Sequence, residues 1–475
     1  EMARLRPPLA RSLLARPGDD AGGPTDWKAY GQLADACGRS IAGVAAGRDP
    51  TVFDFPPLTP APEIRRRLPA KHLILSFHWT AGGLLGVLES NARVATWQVR
   101  NPTAVAKEIA SVAKAIGLVD PVSPVSTERL LETDWRPAVE RVERLLFENS
   151  KVALGEGVEE LVIVPDGLLW YLPFELLPVG SARNIAADDP AAEAAGAAGH
   201  RMLRDACRIR YCPTRSLAVM QFEKPRPGGP LGLHATKIFR GDRLEVAQEV
   251  VARFSAAFDR VFAFSDGNPP ALTGSLCDTL VILDELAGEG PVSLRPLFAA
   301  QAVKGGLTFG DWLSPPRKRP HCIVLAGLQT EMAGGLAKIP SRPGDELFLA
   351  ATDLLAAGAR TLVVSRWRTG GKVSVDLVEE FVRDAAGEPD ENAADDVASR
   401  GAESWHRAVD VVTAEQPDLA REPRVRQSPG AVLVDARHPF FWAGYAVIDC
   451  GTGRHADPPP AAAPQQPPKQ QQAAP

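Results

Sequence analysis

Thiols, imidazoles and carboxylates are the side chains here that could carry covalent chemistry, and their spacing decides what is available. The cysteines are Cys37, Cys207, Cys212, Cys277, Cys322 and Cys450. None forms a Cys-x-x-Cys pair, and none joins a histidine at zinc-ligand spacing. They are expected to be reduced thiols, and no metal or other cofactor is expected. His321 and Cys322 are adjacent, but they open an apolar run, Ile323 to Ala326, that ends at Gly327. Such a run reads as a buried strand entering a turn, and in α/β proteins chemistry collects at the carboxyl ends of strands. What the chain delivers there is Leu328, which has no reactive atom. Gln329, Thr330 and the paired Gly334 and Gly335 follow as loop. Cys322 lies roughly 20 Å from that turn at about 3.3 Å per residue, so it is expected to be a buried structural thiol. His321 shares the displacement. The Thr330 hydroxyl is nearer but needs a base, which Glu289 could supply only with a raised pKa. Asp284, Glu285 and Glu289 could together hold a cation, but a solvated acidic loop is the favoured account.

The elements around these residues alternate. His72 to Phe77, Leu84 to Leu88 and Val94 to Val99 are apolar-rich, with turn residues between them, and read as a small β-meander. His78 and Trp79 are expected to be packing residues on it. Asn101-Pro102 caps a helix with the stripe Val105, Ile109, Val112 and Ile116, ended by Gly117. A second amphipathic helix spans Trp135 to Phe147. Strands are expected at Leu161 to Val164, Arg208 to Cys212, Leu280 to Leu283, Cys322 to Ala326, Leu362 to Ser365 and, as one final strand, Pro439 to Ile448. Helices are expected at Leu244 to Phe258, Gly344 to Ala357, Val375 to Ala386 and Val397 to Val412. Strands alternating with helices imply a mostly parallel sheet covered on both faces.

The totals exclude some classes. With 475 residues, 45% of them hydrophobic, the chain can build a large core, and a formal charge of −5 gives no support for a nucleic-acid role. No apolar run is long enough for a membrane span. With no signal-peptide pattern at Glu1, a cytoplasmic location is expected. The missing initiator Met reads as a piece of a longer chain or a trimmed gene model, so that an upstream partner domain is one expectation. Residues 1–70 are rich in Pro and Arg and expected to be partly disordered, apart from a helix near Trp27 to Ala45; Arg65 to Arg67 reads as a solvated linker end. Residues 186–200 read as an Ala-rich insertion, Glu388 to Asp396 as an acidic loop, and 456–475 as a disordered Pro/Ala/Gln tail.

Five stretches, in order, resemble the CHAT domain family, caspase-like peptidase domains often found beside tetratricopeptide repeats. LVIVPDGLLWYLPFELLPV (Leu161 to Val179) is similar to the family's hallmark stretch, and IRYCPTRSLAV (Ile209 to Val219) to the segment after it. IVLAGLQT (Ile323 to Thr330) resembles the nucleophile strand. GDELFLAATDLLAAGARTLVVSRW (Gly344 to Trp367) resembles the Gly-Asp-Glu-Leu helix and following strand, and HPFFWAGYAVI (His438 to Ile448) the last strand. The resemblance implies a CHAT domain over 71–455, with meander and helices in 71–155 and a caspase-like α/β core in 156–455.

It also implies a Cys–His dyad, in which a thiolate attacks a peptide carbonyl and the imidazole protonates the leaving amine. Both positions depart from that pattern. Leu328 stands where the family has its cysteine. In LVILDELAGEG (Leu280 to Gly290), Glu289 before Gly290 stands where it has its histidine, and Glu285 where an earlier histidine is often seen. The cleft residues on this reading are Glu285, Gly290, Gln329, Thr330, Asp345 and Glu346. For Asp345 and Glu346 two readings stand, a carboxylate facing a basic ligand or acidic capping of a helix N-terminus. The favoured function is an inactive pseudopeptidase that binds a protein or peptide in its groove, alone or with upstream repeat or effector domains. The alternatives are an active cysteine endopeptidase with relocated residues and a structural domain of a larger effector.

Overall fold

The computed structural model describes residues 58–118, 123–150, 152, 154–155, 157–179, 201–220, 229–235, 238, 244–264, 276–286, 320–328, 330–334, 336, 343–356, 358–386, 400–427 and 433–450. The expectations for Trp27 to Ala45, for 186–200, for 388–396 and for the tail lie outside them, as do Glu289, Gly290 and Gln329.

Helix α1 (Ala61–Arg67) takes up the arginine run and leads into the meander of β1 (His72–Thr80), β2 (Gly83–Glu89) and β3 (Val94–Val99). Trp97 of β3 lies across Gly86 of β2, where an added Cβ would come within 2.4 Å of the indole. Only glycine therefore admits the ring at that register. Helix α2 (Pro102–Ala115) is capped as expected, the Asn101 side chain accepting from the Ala104 amide at 3.1 Å. Its apolar stripe and that of α4 (Arg136–Phe147) are buried, with the short α3 (Thr127–Glu132) between them. Strand β4 (Val125–Ser126) pairs in parallel with β12 (Val425–Arg426) in a small separate sheet.

The hallmark stretch begins as β5 (Glu160–Val164), buried throughout. The apolar segment after it is not extended. It forms two 3-10 turns, Gly167–Tyr171 and Phe174–Leu176, either side of Pro173. Next come β6 (Arg208–Tyr211), α5 (Arg215–Ala218), β7 (Leu231–His234), α6 (Leu244–Ala257), β8 (Val261–Phe264), β9 (Thr279–Ile282) and β10 (Cys322–Leu325). After these follow α7 (Asp345–Ala356), β11 (Thr361–Ser365), α8 (Lys372–Ala386), α9 (Arg400–Thr413), α10 (Pro439–Trp442) and β13 (Tyr445–Asp449). The run expected as one final strand is thus split. Pro439 starts a helical turn, capped by the His438 side chain, and the strand begins only after Gly444.

Eleven strands form one sheet in the order β3-β2-β1-β5-β6-β13-β11-β10-β9-β7-β8. The meander is antiparallel, β1 joins β5 in parallel, and β13 meets β11 antiparallel. Between β8 and β11 every pairing is parallel. The sheet is mostly parallel and flanked by helices, as expected of a caspase-like α/β fold. A small apolar cluster under α1 and α5 (Ile64, Leu68, Ile74, Val162, Val164) covers one side of β1 and β5, while the main core lies elsewhere along the sheet. Among the described residues no helix is long and apolar enough to cross a membrane.

Candidate functional site

The parallel register sets His234, Ile282, Leu325 and Val364 in one row. The segments leaving β7, β9, β10 and β11 therefore share one edge. Beyond the regular strands, β9 and β10 stay together: Leu286 and Leu328 form a parallel bridge, and the Leu286 amide donates to the Gly327 carbonyl at 2.8 Å. Both leucines are buried, Leu328 at 5% exposure. The position in question thus holds a core side chain. The approach depends on Gly327, because an added Cβ would lie 2.4 Å from the Asp284 carbonyl oxygen and 3.0 Å from the Glu285 Cα.

Three hydroxyls tie this turn to the exit of β11. Ser365 Oγ donates to the Leu328 carbonyl at 2.7 Å, and Thr369 Oγ1 to the Ala326 carbonyl at 2.8 Å. Thr330 Oγ1 donates to the Arg366 carbonyl and accepts from the Met332 amide at 3.2 Å. Thr330 is therefore buried and its proton engaged, which fits a structural tie and not a nucleophile.

The carboxylates differ from expectation. Asp284 and Glu285 are only 6% and 7% exposed, so they do not belong to a solvated loop. Asp284 Oδ2 lies 3.0 Å from His234 Nδ1, and Glu285 Oε1 lies 3.4 Å from Arg368 Nε. Their partners come from β7 and from the segment after β11, which offset the cost of burying charge. Glu285 directly precedes Leu286, and its backbone lies against Gly327.

Glu346, in the first turn of α7, accepts from the Tyr171 hydroxyl at 2.5 Å and from the Glu331 amide at 3.0 Å. The same hydroxyl accepts from the Gly344 amide at 2.8 Å. Burial raises the Glu346 carboxyl above its usual range, against the pull of these donors. Glu346 thus ties the hallmark stretch to the turn after β10. Asp345 opens the same helix, partly exposed.

Arg366, fully buried, spans the centre of the sheet. It donates to the carbonyls of Ala443 (3.0 Å) and Tyr445 and to Glu175 Oε1 (3.2 Å), with its guanidinium 4.6 Å from the Tyr211 ring. Tyr211 also donates to Glu175, at 2.9 Å.

The described cysteines lie elsewhere. Cys322 starts β10, and Cys277 lies just before β9. Cys212 donates to the Asp449 carbonyl at 3.0 Å, and the Cys450 amide bonds Arg360, both at the end where β11 begins. Cys207 precedes β6, with β13 and β11 between that strand and β10. Burial pushes the Cys207 and Cys322 thiols up to about 12. Cys322, expected to be a buried thiol, is half-buried by surface exposure at the start of β10, the opposite end of that strand from Leu328. His78 is corrected: it is exposed, on the part of β1 that extends past β5, where Trp79, 39% exposed, lays its indole against Gly167.

His234, Arg366 and Arg368 were not singled out from the sequence. His234 had a usable signal, since it ends a short apolar run before a parallel-sheet edge. The arginines follow a strand in a segment otherwise read as core. Among the described residues, no group of three or more His, Cys, Asp or Glu is placed to hold a metal.

No curated protein matches the chain. Two solved structures of the Saccharomyces cerevisiae separase–securin complex, at 2.6 and 3.0 Å resolution, are similar in fold at 9% and 8% identity, with TM-scores of 0.46 and 0.42. The alignments cover 82% and 94% of this chain but only 30% and 33% of the separase-complex chains, so the chain spans about a third of their length. The CHAT domain family matches residues 128–449, more than half of the chain. The protein belongs to the CHAT domain family.

Proposed function

We propose that this CHAT domain is a catalytically inactive pseudopeptidase that serves as a binding or regulatory module for a protein or peptide. The observation that carries the reading is Leu328, a buried apolar residue bridged to Leu286 at the strand end where the family resemblance implies a nucleophile. Its surroundings support it. Ser365, Thr369 and Thr330 fix the turn through backbone carbonyls, and Glu285 and Asp284 are engaged with Arg368 and His234. A dyad needs a partly exposed thiol of lowered pKa within reach of an imidazole. Of the described cysteines only Cys207, just before β6, stands at this edge, with β13 and β11 between that strand and β10, and burial raises its thiol, the opposite of activation. The likeness to the separase complexes is too weak to bear on partner choice.

The test is proteolysis of a randomised peptide library by the purified chain, read by mass spectrometry. No cleavage above a heat-denatured control is expected. Cleavage that is lost when one cysteine is changed to serine would overturn the reading in favour of a relocated active site.

A further inference from the structure

Among the described residues strand β3 (Val94–Val99) closes one end of the sheet, with β2 on one side and no described strand on the other. The turn between them fixes which backbone groups face outward. The Ser90 amide donates to the Arg93 carbonyl at 2.9 Å, so those two residues are a bonded pair. Alternation along an antiparallel ladder then turns the N–H and C=O of Val94, Thr96 and Gln98 away from β2. Asn149 Nδ2 bonds the Gln98 carbonyl at 3.1 Å, which agrees with that assignment. Among the described residues nothing bonds the amides or carbonyls of Val94 and Thr96.

Natural edge strands are blunted by charge, proline or a bulge. This strand reads VATWQV and has none of these: its register to β2 is continuous from Val94 to Val99. Val94 is 42% exposed, and Ala95 and Thr96 are exposed as well. The charges stand just outside. Arg93 and Arg100 flank the strand, both exposed, and neither is ion-paired with a described residue. At about 3.3 Å per residue they are roughly 23 Å apart.

We propose that the free edge of β3 receives an extended peptide strand of small or β-branched residues with a carboxylate near each end. The outward groups of Val94 and Thr96 would continue the ladder, and Arg93 and Arg100 would hold the two ends. A second copy of this chain fits less well. Antiparallel self-pairing about Thr96 sets Val94 against Gln98 of the other copy. It sets Arg93 of each copy against Val99 of the other, with Arg100 next along on the opposite face, so each end gathers two cations and no carboxylate. The edge is separate from the Leu328 turn, with β2, β1, β5, β6, β13 and β11 between β3 and β10.

The test uses the full chain and a fluorescein-labelled octapeptide of alternating Thr and Val with Glu at both ends, titrated to millimolar concentration and followed by anisotropy. Saturable binding that weakens with salt is expected. A Lys-ended peptide should bind at least tenfold more weakly, and a peptide N-methylated on alternate amides should not bind. Arg93→Glu with Arg100→Glu should reverse the preference for the charged ends. Thr96→Pro should lose at least tenfold in affinity with the melting temperature little changed, because its amide faces outward and carries no bond to β2. If that variant misfolds, the N-methylated peptide decides the point on the unaltered protein. The proposal is overturned if the Glu-ended peptide does not bind, if the Lys-ended peptide binds equally, or if N-methylation has no effect. A dimer in sedimentation that Thr96→Pro dissociates would give the edge to a second copy instead.

Discussion

Gly327→Ala tests whether the strand end at Leu328 is held as described. The new methyl carbon would sit 2.4 Å from the Asp284 carbonyl oxygen, 2.8 Å from its carbon and 3.0 Å from the Glu285 Cα. All three contacts are backbone, so no rotamer change relieves them; the β9 and β10 extensions must part. Parting them breaks the Leu286 amide bond to the Gly327 carbonyl and the Leu286–Leu328 pairing. Overpacking of this kind costs about 1–3 kcal/mol, and a lost buried hydrogen bond adds about 1 kcal/mol. The expected destabilisation is about 3 kcal/mol. Urea unfolding of the two proteins measures it, and hydrogen exchange at the Leu286 amide localises it, with protection there falling by a factor on the order of 100. Gly82→Ala is the control, since its added Cβ would find only Thr80 Oγ1, at 3.7 Å. A Gly327→Ala protein within about 0.5 kcal/mol of the parent, with Leu286 still protected, would refute the reasoning.

Two further outcomes follow from buried polar groups. Arg366→Met strands Glu175 and the Ala443 and Tyr445 carbonyls, and should cost about 3–5 kcal/mol in urea unfolding, partly restored by Glu175→Gln in the same chain. His438 accepts from the Phe440 amide at 3.2 Å as the cap of α10, and burial, helped by Arg136, lowers its imidazole from 6.5 to about 4. A depressed imidazole leaves its contribution intact above about 6.5 and loses it as pH falls through about 4. His438→Asn keeps a capping acceptor and cannot be protonated. Unfolding curves across pH 6.5 to 4 should therefore be flatter for the variant, by about 3 kcal/mol at most.

The sequence carried the elements whose signal is local. The Asn101 cap, the α2 stripe, β5 and the run from Cys322 to Leu328 each rest on a few adjacent residues, and each is found where expected. Three other outcomes rest on pairing between distant segments. β7 and β8 are four-residue runs too short to show a period, and only their partners make them strands. Asp284 and Glu285 read as solvated because nothing nearby in sequence neutralises them; their partners, His234 and Arg368, arrive by sheet register. The Thr330 hydroxyl looked available until β11 brought the Arg366 carbonyl to it. The family motifs marked Leu328 correctly as a strand-end residue, but that its side chain is buried against Leu286 depended on the bridge between two strand extensions.

The central claim, that the domain holds no activated thiol, is tested most directly by the alkylation rate of each cysteine in the folded chain at pH 8, located by peptide mass spectrometry. Cys207 and Cys322, held by burial at about 12, should react slower than a free thiol by a factor on the order of 10³. Neither they nor any other cysteine should outpace a free thiol until the chain is unfolded. A cysteine that reacts faster than a free thiol in the folded chain, and slows on unfolding, would contradict the account.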